Sequence, residues 1–137
     1  MTTVFNGNWW FLSLPSNWNG SREEQGYSFF GDPRLGTLQI SAAQKEAENV
    51  RDEDLREFAQ ESLQKGARLQ SVRVGRLVGF LAQRREGDLS WKEWWLREGK
   101  ILLYVTYVVP IKDEKKESNQ VVAILESLTV KPTLSSP

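Results

Sequence analysis

Four groups of residues in this 137-residue chain carry side chains that could do chemistry. Ser62-Leu63-Gln64-Lys65 matches S-x-x-K, in which a lysine activates a serine nucleophile. The S-D-N and K-T-G elements that complete such a site are missing, and Ser62 reads instead as a polar position on the back of an amphipathic helix. Asp52, Glu53, Asp54 and Glu57 suggest a metal or acid/base cluster. Metal loops space their ligands alternately around a glycine turn, whereas this unbroken run suits the first turn of a helix. Glu93 stands among Trp91, Trp95 and Tyr104, where burial would favour a neutral carboxyl able to act as an acid. No second carboxylate, base or nucleophile accompanies it, so a rim position or a partner for an Arg or Lys is the simpler reading. Arg68, Arg73, Arg76, Arg84 and Arg85 gather near aromatics, as in single-strand nucleic-acid binders.

Composition narrows these options. The chain has 18 basic and 18 acidic residues, a net charge of zero, and therefore not the basic excess expected of a nucleic-acid binder. It has no histidine and no cysteine, which removes the commonest general base, the commonest metal ligand and thiolate chemistry. We expect no enzyme activity, cofactor or metal. No basic leader precedes an apolar run at the N-terminus, and no stretch approaches a membrane span, so a cytoplasmic protein without stable membrane insertion is expected.

The element that positions Glu93 is the stretch Leu89–Val109, read as two strands joined at Glu98-Gly99. With Arg97 opposite Lys100, Glu93 falls opposite Tyr104 and Trp91 opposite Thr106. One face then carries Trp94, Leu96, Ile101, Leu103, Val105, Tyr107 and Val109, and belongs to the core. The other carries Trp91, Glu93, Trp95, Leu102, Tyr104, Thr106 and Val108, and needs a cover: a helix of this chain or a partner. Tryptophan and tyrosine are common binding hot spots. Trp91, Glu93, Trp95, Tyr104 and Thr106 are therefore the candidate partner-binding residues, while most of Trp9, Trp10, Trp18 and Trp94 are expected to fill core or seal sheet ends.

Around this hairpin the chain reads as β-β-β-α-β-β-β-β-α. Strands are expected at Asn8–Leu14, Gln25–Phe30 and Gly36–Ser41, with Ser16–Gly20 a polar turn. Val50, Leu55, Phe58, Ala59 and Leu63 give a helix stopped by Gly66. Leu69–Val74 and Leu77–Arg84 form a hairpin across Gly75-Arg76. A charged, solvated connector, Ile111–Ser118, leads to a second helix capped by Ser118 or Asn119. Short links imply an α+β fold: one antiparallel sheet of six to seven strands, packed by two helices with at least partial cover on both sides. All 137 residues form a single domain in this reading, with an ordered core of about 8–130 and a frayed tail at 131–137.

Several features together are similar to the PsbP-like fold: Leu14-Pro15 followed by Trp18, Tyr27-Ser28-Phe29-Phe30, Gly36–Ser41, and the C-terminal Ile124–Val130. That fold is shared by the photosystem extrinsic protein, a Ran-binding nuclear factor, DcrB lipoproteins and the Eag chaperones of secretion effectors. The resemblance implies a non-catalytic adaptor, chaperone or assembly factor that binds a protein partner. Eag chaperones, which hold apolar effector helices against their sheet, come nearest in length and in lacking a leader. The photosystem and DcrB relatives are exported. No family binding motif maps onto individual residues here. A bacterial adaptor or chaperone working through the aromatic hairpin face is the expectation, with an immunity-type inhibitor as alternative, a homodimer as an option, and a small-ligand enzyme using Glu93 as the reading of another class.

Overall fold

The computed structural model describes residues 2–131. Its elements are β1 (Thr2–Asn6), β2 (Trp10–Pro15), β3 (Asn19–Glu23), β4 (Gly26–Phe30), β5 (Thr37–Gln44), α1 (Asp52–Phe58) and α2 (Gln60–Gln64). They continue with β6 (Gln70–Val74), β7 (Leu77–Glu86), β8 (Leu89–Glu98), β9 (Ile101–Pro110), a 3-10 turn (Ile111–Asp113), α3 (Ser118–Ser127) and β10 (Thr129–Val130). The fold is α+β and its ladders are antiparallel, as expected.

The expected single sheet is two. A seven-stranded sheet runs β3-β4-β5-β9-β8-β7-β6, and β1-β2-β10 form a separate three-stranded one. Five strands precede the first helix rather than three, because Thr2–Asn6 and Asn19–Glu23 are strands. Both are mostly exposed and polar, so they lack the apolar alternation that marks a half-buried strand. In β2 that alternation is complete: Trp10, Leu12 and Leu14 are buried. They lay the small sheet face-on against the large one instead of extending it.

The large sheet is a meander at its β6 end. Three two-residue turns, Gly75-Arg76, Gly87-Asp88 and Gly99-Lys100, join β6 to β9. Each glycine has φ near +60°, while Arg76, Asp88 and Lys100 do not have positive φ. Positive φ at the first central residue alone is the type II′ pattern, which matches the right-handed twist of the flanking strands. The central hairpin therefore closes at Gly99-Lys100, not at Glu98-Gly99, and pairs Glu98 with Ile101. Every cross-strand partner moves by two positions: Trp95 faces Tyr104, and Glu93 faces Thr106. Because strand side chains have a period of two, this shift changes partners and preserves faces. The expected first face, Trp94 through Val109, lies wholly in the main core.

That core sits between the large sheet and a layer made of β2 and α3, whose Val121, Ile124 and Leu125 point inward. On the opposite side α1 packs against β7 and β8, closing a smaller core around Leu55, Ala59, Phe80, Trp95 and Leu102. The expected cover on both sides is present, with the first helix broken at Ala59 into α1 and α2. Asp52, Glu53 and Asp54 do open that helix, and Asp54 accepts from the Arg51 N–H at 2.8 Å.

Three smaller expectations change. The connector is not fully solvated: Asp113 and Glu117 are buried, and Glu117, rather than Ser118 or Asn119, holds the cap position of α3. Trp9 does not fill core; it lies 38% exposed with φ of 66° in the β1–β2 turn. The start of the expected tail is tied down, since the Lys131 N–H donates to Trp9 O at 2.8 Å and Lys131 Nζ to Gly7 O; residues 132–137 lie outside the described residues.

Candidate functional site

Glu93 projects from the middle of β8 on the face covered by α1 and α2, and is only 2% exposed. It is neither a rim residue nor unpaired. Ser62 Oγ lies 2.9 and 3.0 Å from its two carboxylate oxygens, Tyr104 OH donates to Oε2 at 2.5 Å, and Arg84 Nε approaches Oε1 at 3.5 Å. A buried carboxylate in so dry a place is tolerable because donors surround it. Burial, then the hydrogen bond to Glu93, pushes the Tyr104 phenol well above the usual tyrosine range.

Ser62 thus reverses its expected orientation. It lies inward on α2, where the row Leu55, Ala59, Ser62 follows helical spacing, and it ties α2 to the sheet. Lys65 meanwhile points to Glu61 at 3.8 Å, so the S-x-x-K pair is not assembled. Arg84 is held between Glu86, at 2.6 Å, and the ring of Trp91, 4.6 Å from its guanidinium carbon. Burial works against the charge of Arg84, but Glu86 and Glu93 outweigh it and raise its pKa.

On the opposite face of β9 a second buried pair mirrors the first. Tyr107 OH donates to Glu117 Oε1 at 2.6 Å, and the Gly36 N–H donates to the same oxygen at 3.1 Å. Burial, followed by that bond to Glu117, raises the Tyr107 phenol too. These two carboxylates fasten different layers to one strand: Glu93 holds α2, and Glu117 holds the connector before α3 to the start of β5.

The helical cover stops short of β5, β4 and β3. Beyond it a polar row crosses the sheet in register, Ser21 to Ser28 to Gln39 to Thr106, ending at Glu93. Gln39 Nε2 donates to Ser28 Oγ at 3.2 Å. A cleft of about 430 Å³ opens here, lined by Gln39, Ser41, Trp91, Tyr104 and Thr106 among others. A second cleft of about 390 Å³ follows along β5, with Ala43, Val50 and Leu102 in its lining. Phe58, the last residue of α1, lines both clefts and is 54% exposed. Its ring stands 5.8 Å from that of Tyr104. The two clefts adjoin at Phe58 and follow one another along β5, together forming a groove.

Of the five expected site residues, the structure brings Trp91, Tyr104 and Thr106 to the groove. Trp95, at 1% exposure, and Glu93 are interior. Neither Glu93 nor Ser62 lines either cleft. The sequence marks Phe58 only as a core position of its helix, and Gln39 and Ser41 only as strand. The signal for all three was weak: a period-two polar pattern in β5, and an apolar residue at the edge of a helical stripe. Among the described residues no group of three or more acidic side chains is arranged to hold a metal, and no helix is long and apolar enough to cross a membrane.

No family model and no curated protein matches the chain. Solved structures do. A protein of Bacteroides thetaiotaomicron VPI-5482 is similar over 96% of this chain, with 20% identity and a TM-score of 0.66. The match covers 48% of that protein, so this chain spans about half its length. LpqN of Mycobacterium tuberculosis, described as involved in cell envelope biogenesis, is similar over 96% of this chain and 85% of its own, at 15% identity and a TM-score of 0.57. Cyanobacterial PsbP from Synechocystis sp. PCC 6803 matches 94% of this chain and 92% of its own, at 9% identity and a TM-score of 0.46. At these identities the likeness is one of fold alone.

Proposed function

We propose that this protein is a non-catalytic binding module, an adaptor or chaperone, that grips a protein partner in the groove beneath Phe58. The observation that carries this reading is Phe58 itself: a large apolar side chain more than half exposed, between two adjoining clefts, on the part of the sheet its own helices leave bare. Exposed aromatics beside preformed concavities are characteristic anchors for partners. Trp91 and Tyr104 add aromatic wall to the same groove. The full satisfaction of Glu93 by Ser62, Tyr104 and Arg84 supports a structural role for that carboxylate rather than an acid catalyst.

The test places a photo-activatable phenylalanine at position 58 and, as controls, at Val4 and Val122, which are also exposed. Crosslinks to a defined partner concentrated at position 58 are expected. Equal labelling from all three positions would remove the groove as the binding site.

A further inference from the structure

The groove has a chemistry that narrows its occupant. Gln39, Ser41 and Ala43 are successive positions on one face of β5, so its floor changes from amide and hydroxyl to methyl along the strand. Neighbouring floor positions lie about 7 Å apart. β9 pairs β5 along its whole length and β4 pairs it over Leu38–Ile40, so at Gln39 the peptide groups are engaged on both sides and a ligand meets the side chain. Four charged residues line the groove: Glu23 in one cleft, and Lys45, Asp54 and Glu57 in the other. Lys45 and Asp54 neutralise each other at 2.9 Å. Among the described residues Glu23 and Glu57 make no ion pair, so the groove presents two uncompensated carboxylates and no uncompensated cation.

We infer that the groove takes an extended, cationic segment of the partner protein, an inference that rests on reading the groove as a protein-binding surface. One apolar side chain of the segment fills the socket of Ala43, Val50 and Leu102. The residue two positions along lies over Gln39 and Ser41, whose amide and hydroxyl serve the segment's own peptide groups. An extended chain repeats on one face every about 7 Å, the same interval as the floor positions. Lysine or arginine on either side answers Glu57 and Glu23, and Phe58 packs over the strand as it crosses. Such charge matching sets which partner is admitted and speeds its capture at low salt.

The full chain, isotope-labelled, is titrated with three eight-residue peptides sharing a Leu-Ser-Leu centre and flanked by lysine, glutamate or glutamine. Shifts confined to residues 39–43 and 57–58 locate the site. The lysine peptide is expected to bind about tenfold tighter than the glutamate one, the scale two screened ion pairs supply. The double variant Glu23→Lys, Glu57→Lys, changed only at exposed positions, should reverse that order. Equal affinities in the groove would overturn the cationic assignment while leaving protein binding there intact. Shifts elsewhere, or binding of none of the peptides while position 58 still crosslinks a partner, would overturn the extended-segment inference alone. Loss of the crosslinking preference at position 58 would overturn the parent reading as well.

Discussion

Tyr104 and Glu93 lie diagonally across the β8–β9 ladder, and the phenol donates a 2.5 Å hydrogen bond to the buried carboxylate. With Ser62 as second donor, this bond joins the sheet to α2. Glu93→Ala would leave both hydroxyls without an acceptor and Arg84 with one carboxylate fewer, at a cost of about 3–5 kcal/mol. Tyr104→Phe should cost about 1.5–3 kcal/mol, as for other hydrogen bonds to charged groups. Urea unfolding of the two single variants and the double one gives the coupling energy. A value below about 0.5 kcal/mol would mean that the pair does not act as a unit.

Alkali should unfold the protein through its buried phenols. Tyr104 and Tyr107 are both held un-ionised, by burial first and then by the bonds they donate to Glu93 and Glu117. Their folded-state pKa values lie above the ordinary 10.0. Their contribution to stability is therefore complete below pH 10 and is lost as pH rises beyond it. Phenolate absorbance followed against circular dichroism should show two of the three tyrosines ionising only as the fold melts. Ionisation of all three before any loss of structure would contradict this.

Phe58 and Leu55 lie one turn apart on α1 and should respond in opposite ways. Phe58→Ser, at a largely exposed site, should change stability by no more than about 0.5 kcal/mol while abolishing partner capture. Leu55→Ala, fully buried in the smaller core, should cost about 2–5 kcal/mol. Thermal unfolding of both variants, beside pull-down of the partner that position 58 crosslinks, separates binding from packing. A strongly destabilised Phe58→Ser protein would show that the ring is structural.

The Gly99 turn offers a sharper test of register. Its φ of 57° penalises any residue with a Cβ, so Gly99→Ala should lose about 1–2 kcal/mol. Glu98→Gly, at a strand position by this register, should also destabilise, by about 0.5–1 kcal/mol. Were the turn centred on Glu98-Gly99 with both residues at positive φ, Glu98→Gly would stabilise instead. Denaturant midpoints decide between the two.

That register shows how far the sequence could be read. The two faces of the central hairpin were legible because apolar alternation fixes parity, and parity survives a shift of partners by two. The partners were not, because two adjacent turn sites around Gly99 satisfy the same alternation and only backbone φ separates them. The cover over Trp95 was legible as a need. The burial of Ser62 and Glu93 was not, since a lone polar residue on either element gives no sign of the other until they meet. Thr2–Asn6 and Asn19–Glu23 are not legible as strands because their mostly exposed residues carry no apolar alternation. The groove went unread for the same reason: it lies where β5 alternates polar and apolar like any half-solvated strand, and Phe58 differs from its buried neighbours only in standing at the helix end.

The three type II′ turns also set an order of assembly. From β6 to β9 every strand pairs with its sequence neighbour across two residues, so each ladder closes at minimal loop entropy. β5 meets β9 only after the helices and three strands have intervened, pairing Thr37 with Val108. The hypothesis that follows is a folding nucleus in the meander, with β3, β4 and β5 docking later. Core truncations such as Leu96→Ala should then slow folding, while Leu38→Ala should chiefly speed unfolding. Equal φ-values at the two sites would refute that sequence of events. If it holds, the wall of the groove formed by β5 is among the last parts of the molecule to be completed.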